Sequence, residues 1–173
     1  LPIRSSSISQ KTIKADCIEA ACEAFESNSN ATYSVAWIDC LSKGKSLGRS
    51  VIMLGEHAEQ GGLDIDIRQK VSVPFSTPSG LLNSLTMKAF NTAYWDKSKH
   101  NLNQAIALMP YCYPLDAIGE WNRLYGKKGF VQFQCVLPKT DGVAYIRSLL
   151  TAISTSGEGS FLAVLKQFGF GNQ

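Results

Sequence analysis

The sequence predicts an α+β domain: a mostly antiparallel sheet of ferredoxin-like order, helices on one face, and a long insertion at about residues 60–112. Three observations carry this prediction. Apolar residues alternate over 32–39 and 130–137, as in half-buried strands, and recur at helical spacing over 18–25 and 143–153. Strand-helix-strand successions stand on both sides of the insertion, the pattern of a two-layer α+β domain. With 173 residues the chain can bury one real core but not two ordinary ones, so residues 1–173 are taken as one domain.

Residues 2–13 alternate Ile3, Ser5, Ser7 and Ser9 against Arg4, Ser6, Ile8 and Gln10, which predicts a strand near a sheet edge. Ile18, Ala21, Cys22 and Phe25 then form one helical stripe behind Asp16, and the helix runs to about residue 27. Thr32–Asp39 is the next strand, with Tyr33, Val35 and Trp37 opposite Ser34, Ala36 and Ile38. After a Gly/Lys/Ser loop, Arg49–His57 is a strand antiparallel to it. Gly44-Lys45-Ser46 in that loop is not a phosphate loop, because the required earlier glycine is Asp39 here.

The insertion has weak periodicity and is broken by Pro74, Pro78 and Gly80. Within it Leu81–Trp95 can form a helix, with Leu82, Leu85, Met87, Phe90 and Tyr94 loosely on one side. A segment of this kind is usually a lid or binding element. Its aromatics either close over a ligand or anchor the loop. Beyond it, Thr140 is placed to cap a helix with a Val143, Ile146, Leu150 and Ile153 stripe, ended by Gly157. Ser160–Phe168 is the last strand. It puts Leu162, Val164, Lys166 and Phe168 on one face, so Lys166 either reaches the surface or meets an anion.

Composition excludes several classes. The net charge of +3 is thinly spread, which does not suggest nucleic acid. No apolar run approaches the ~20 residues that span a bilayer, and Leu1-Pro2-Ile3-Arg4 resembles mid-protein sequence rather than a leader. The five cysteines have no Cys-x-x-Cys spacing, and His57 and His100 stand apart, so no metal site or redox pair is predicted. Reduced thiols fit a cytoplasmic or membrane-peripheral protein. Asn30-Ala31-Thr32 matches a glycosylation acceptor, a pattern short enough to arise by chance.

The stretch from Pro114 to Pro138 is a turn, a polar-aromatic segment, a Gly-Lys-Lys-Gly turn and a strand. That strand would place Gln132 and Gln134 on one face. Two amides there either face water or bind a polyhydroxylated ligand, since each both donates and accepts.

This stretch carries a resemblance. Pro114-Leu115-Asp116, Gly119-Glu120-Trp121-Asn122-Arg123, Tyr125-Gly126 and Gly129-Phe130-Val131-Gln132-Phe133-Gln134 are similar to the substrate-binding domain of the decaprenylphosphoryl-β-D-ribose 2′-oxidases, FAD-linked oxidases of the vanillyl-alcohol-oxidase type. Further blocks in the same order are Tyr33 to Asp39, Leu47-Gly48-Arg49-Ser50, and Ser160-Phe161-Leu162 through Lys166, Phe168 and Gln173. The resemblance implies that FAD sits in a separate N-terminal domain outside these residues. It implies a substrate pocket lined by Gln132 and Gln134, with Lys166 on substrate oxygens or phosphate, Leu162 and Phe168 as an apolar wall, and Trp37 nearby. It also implies hydride transfer from the ribose 2′-carbon to flavin. The family has a tyrosine and a histidine where Cys112 and Tyr113 stand, so only Tyr113 is left to replace that tyrosine. The fragment itself carries no assigned catalytic residue and is expected to be inactive and to hold no FAD.

The partners so implied are a lipid-linked sugar, a short-chain reductase completing an epimerisation, and a peripheral contact with the membrane. Two alternatives stand beside this: an aldonolactone oxidase of the same superfamily acting on a small sugar, and a stand-alone α+β module that binds a ligand or a protein.

Overall fold

The computed structural model describes residues 3–65, 71–78, 80–116, 118–127 and 129–169. Among them are β1 (Ser7–Ala15), α1 (Ile18–Ser27), β2 (Tyr33–Ile38), β3 (Ser50–His57), β4 (Val71–Ser72), α2 (Ser84–Lys97), β5 (Leu102–Ala107), α3 (Leu108–Cys112), β6 (Ile118–Gly119), α4 (Gly142–Ser156) and β7 (Val164–Leu165). Five strands form one sheet in the order β5-β1-β3-β2-β7, and β4 pairs with β6 separately. The fold class is α+β with a mostly antiparallel sheet, as expected. Strand β3 lies between β1 and β2, the split arrangement of a β-α-β unit in a ferredoxin-like sheet.

The chain divides into two compact units. One comprises Lys11–Gly55, Asn83–Leu102 and Cys135–Gln173. Its core is built by the alternation seen in the sequence. Pairing of β2 with β3 sets Ala36 against Ile52 and Trp37 against Val51. The even-numbered side faces the helices: Ala36, Ile38, Ile52 and Leu54 pack with Ile18, Ala21 and Phe25 of α1 and Leu150 of α4. Helices α1 and α4 therefore share that face, and they are bridged at the surface by Arg147 and Glu19. The hairpin loop before β3 enters this core at Gly48. Its φ of +69° suits glycine, and a Cβ there would lie 2.7 Å from Leu150 Cδ1 and 2.9 Å from Ile18 Cβ.

The other unit comprises Leu1–Gln10, Glu56–Leu82 and Asn103–Gln134. It is held by polar contacts more than by apolar ones. The Ser6 hydroxyl donates to the carbonyls of Gly62 and Asp64 at 3.1 and 2.6 Å. Strands β4 and β6 run parallel, Val71 opposite Ile118. The Arg123 guanidinium donates to the carbonyls of Val73 and Pro74 at 3.0 and 3.2 Å, and the Thr77 hydroxyl donates to Leu124 O at 2.8 Å. These bonds pin the Pro74–Pro78 loop to a short 3₁₀ turn at Trp121–Tyr125.

Several expectations change. Residues 130–137 form no strand, and Val131 is 97% exposed. Alternation supplies propensity, but a strand also needs an adjacent edge to pair with. Instead the Phe130 ring lies 4.4 Å from Tyr125 and 5.5 Å from Trp121, in a local aromatic cluster. The last strand shrinks to Val164–Leu165, which pairs only with Trp37 and Ala36. The first strand starts at Ser7 rather than residue 2, and Asp141, not Thr140, stands at the α4 cap, with no side-chain cap bond. Gly157 does end α4, at φ +75°. The polar run at Lys97–Asn103 leads into β5, which weak periodicity concealed.

The crowding at Gly48 gives a direct test. Gly48→Ala is expected to destabilise the fold by about 1–3 kcal/mol through overpacking and left-handed backbone strain, read as a lower urea midpoint with an unchanged slope.

Candidate functional site

The sheet has a second face, defined by the residues opposite the core. Because Trp37 pairs with Val164 and Ala36 with Leu165, Trp37 and Val164 share it. Exposure continues to alternate along the segment: Leu162, Val164, Lys166 and Phe168 are exposed, Ala163, Leu165 and Gln167 less so. Four of the seven residues singled out from the sequence are in one unit: Trp37 shares its face with Val164, and Leu162, Lys166 and Phe168 are the exposed positions alternating along the same segment. Phe168 is 73% exposed, whereas Trp37 is only 5% exposed. Gln132, Gln134 and Tyr113 belong to the other unit and are exposed there; Tyr113 follows α3, and the two glutamines lie in the irregular segment after the Gly126–Gly129 turn.

Trp37 is fixed from two directions. Its indole Nε1–H donates to Phe161 O at 2.9 Å, and its ring lies 4.6 Å from that of Tyr94, centroid to centroid. Phe90 stacks 6.2 Å from Tyr94 and meets Phe161 edge-on at 5.4 Å. Helix α2 therefore lies against the face that the sequence leaves open. Burial pushes the Tyr94 phenol above its ordinary value of 10.0.

Beneath this aromatic wall is a polar knot that sequence reasoning missed as a unit. Asp39 ends β2 in a buried position. Its Oδ2 accepts from Arg49 Nε and is paired with the Arg49 terminal nitrogen, both at 2.9 Å. Its Oδ1 accepts from Leu41 N at 3.1 Å and from Asn91 Nδ2 at 2.9 Å. The Asp39 amide also donates to Arg49 O at 3.0 Å, so the pair closes the whole 40–48 loop. Both carboxylate oxygens are thus bonded twice. Asn91 Nδ2 donates further to Ser160 O at 3.3 Å, tying α2 to the segment that leads into β7. Ser160 also exchanges bonds with Cys40: its amide donates to Sγ at 3.2 Å and the thiol donates to its carbonyl at 3.3 Å. Burial pushes the Cys40 thiol up, which makes it a packing group rather than a nucleophile. Asp39 and Arg49 both stand in the sequence blocks quoted above; Asn91 carried no signal in the sequence.

Trp95 of α2 is flanked by cations. Lys14 Nζ lies 4.2 Å and Arg49 Cζ 5.4 Å from its ring centroid, and Lys14 Nζ also donates to Trp95 O at 2.9 Å. Among the described residues no group of three His, Cys, Asp or Glu side chains could hold a metal. The Ile18 amide at α1 is taken by Leu47 O, the Leu85 and Thr86 amides at α2 by Asn83 Oδ1, and α4 begins behind the acidic Asp141.

This arrangement offers an apolar and aromatic face with cations near its rim: Lys166 on the segment of β7, and Lys14 and Arg49 at Trp95. Comparison with known proteins gives the chain's kinship. Over 156 residues, 85% of the chain, the sequence is 39% identical to decaprenylphosphoryl-beta-D-ribose oxidase of Mycolicibacterium smegmatis (strain ATCC 700084 / mc(2)155). The chain is a homologue of that oxidase. It spans 34% of that relative's length. No family model matches the chain. Among the described residues no helix is long and apolar enough to cross a membrane.

Two outcomes are expected here. Arg49→Ala leaves the Asp39 carboxylate buried without its cation and should cost about 3–5 kcal/mol in chemical unfolding. The raised Tyr94 value fixes a sign for pH. Its neutral phenol supports the docked helix fully below pH 10, and that support is lost as pH rises through the higher folded-state value. Tryptophan emission from Trp37 should therefore shift to the red only in strong alkali, and Tyr94→Phe should abolish the shift.

Proposed function

We propose that this chain is the substrate-binding domain of an FAD-dependent oxidase that oxidises the 2′-hydroxyl of a polyprenyl-phosphoryl ribose. The observation that supports it most is the shared face of Trp37, Leu162, Val164, Lys166 and Phe168, read together with homology to an oxidase of lipid-linked ribose. The aromatic and aliphatic side chains suit the faces of a sugar ring and the first isoprene units. Lys166 is a mobile cation suited to a phosphodiester or a ring hydroxyl. Gln132 and Gln134 are assigned to ribose hydroxyls by the same kinship.

By the same kinship FAD is assigned to a domain outside these residues, where it accepts the hydride. The work of these residues is to position the sugar and exclude water from it. A ketone product at the 2′-carbon would need a reductase to complete an epimerisation, which makes a short-chain reductase the expected partner. A lipid-linked substrate also places the enzyme at a membrane surface, in keeping with exposed Leu85, Phe90 and Phe168.

The test is anaerobic bleaching of the yellow flavin band in the flavin-loaded holoenzyme. Farnesyl-phosphoryl ribose is expected to bleach it. Lys166→Ala should lower kcat/KM roughly 10- to 100-fold, the loss of one charge-assisted hydrogen bond, and Gln134→Ala about fivefold to tenfold. Bleaching by aldonolactones instead would move the substrate to a soluble sugar. A holoenzyme preparation without flavin would overturn the oxidase reading.

A further inference from the structure

Helix α2 is seated in an unusual way. Its one buried side chain among the described residues is polar: Asn91, 0% exposed. Leu85 and Phe90, which would normally anchor such a helix, are 74% and 49% exposed. Asn91 Nδ2 is well used, on Asp39 Oδ1 and Ser160 O, but Asn91 Oδ1 is buried with no hydrogen-bond partner. Exchanging the two ends of the amide does not help, because it would set the oxygen against a carboxylate and a carbonyl. The seated helix thus holds one carbonyl away from water without compensation, and leaving the seat rehydrates it.

The remaining contacts are ones a helix can release and remake. Tyr94 lies on Trp37, Phe90 on Phe161, and Trp95 is clasped by Lys14 and Arg49 at the rim. Of the apolar residues of α2, Met87 packs half-buried against the core, and none is fully buried. At its start, Asn83 and Thr86 form a reciprocal cap, so the first turn is specified locally and not by the seat. What the helix covers is Trp37, the most buried of the residues assigned to the substrate face.

From these contacts we infer that α2 is a cover that opens locally, with Asn91 as its latch, and that its opening uncovers Trp37 and Phe161 for a ligand. The purpose given to the opening rests on the substrate face proposed above; the opening itself does not. Closed, the cover occupies the aromatic wall with its own Tyr94 and Phe90; open, the same wall can accept a sugar and lipid in their place. Ligand entry and helix docking then compete for one surface, which makes α2 a gate.

Hydrogen exchange of the full chain without ligand, followed by mass spectrometry of peptides, tests this. In the wild type the α2 amides are expected to exchange at least about 100-fold faster than those of α1 and α4, since local opening lies well below global unfolding. Asn91→Ala should speed α2 exchange about tenfold more, and Phe90→Ala should do so to a smaller degree, with α1 and α4 unchanged in both. Phe90 is half exposed, so its variant folds even if Asn91→Ala does not. Protection of α2 equal to that of α1, or acceleration shared equally by α1 and α4, would overturn the gate. Failure of farnesyl-phosphoryl ribose to speed α2 exchange further, with fast exchange in its absence, would count against the substrate face and leave the opening standing.

Discussion

Asp39 is where the order of the larger unit is set. A buried carboxylate must be bonded on all sides or it unfolds what surrounds it. Here those bonds come from Arg49 across the hairpin loop, Leu41 within it, and Asn91 of α2. The first two fix where β2 ends and β3 begins, and so the register that puts Trp37 on one face and Ala36 on the other. The third fixes where α2 lies. Packing of Gly48 against Ile18 and Leu150 depends on the same loop being closed. One electrostatic requirement thus joins the core side and the opposite side of the sheet.

Much of this was visible in the residues themselves. The α1 and α4 stripes and the β2–β3 pair have strong periodicity, and periodicity reports burial against a layer. Gly157 announced the end of α4 because a left-handed terminus favours glycine. The failures share one cause: they need a partner distant in sequence. Residues 130–137 have the alternation of a strand, but pairing requires an adjacent edge, and Phe130 is instead drawn to Trp121 and Tyr125. The two-residue strands β4 and β6 are defined by each other and by Arg123, not by any local pattern.

For the site the division is similar. Alternation through Ser160–Phe168 matches the exposure of Leu162, Lys166 and Phe168, although the strand is only Val164–Leu165, and pairing with β2 sets Val164 beside Trp37. Lys166 is at the surface, the simpler of the two readings its position allowed. Asn91 was not legible, because nothing in Phe90-Asn91-Thr92 says that its amide meets a carboxylate 52 positions away. The insertion was expected to hold a lid or an anchor. Its helix is anchored, with aromatic rings on Trp37 and Phe161, and the role of a lid is what we propose for it.

The account turns on the face that carries Trp37, Lys166 and Phe168. The most direct measurement of it is the indole N–H resonance of Trp37 in the full chain, assigned by Trp37→Phe, during titration with farnesyl-phosphoryl ribose. The Trp37 signal is expected to move as the lipid-linked sugar saturates, because Tyr94 leaves the ring and the sugar takes its place, while Trp121 in the other unit stays still. A saturating titration in which the Trp37 resonance does not move would contradict the assignment of this face to substrate.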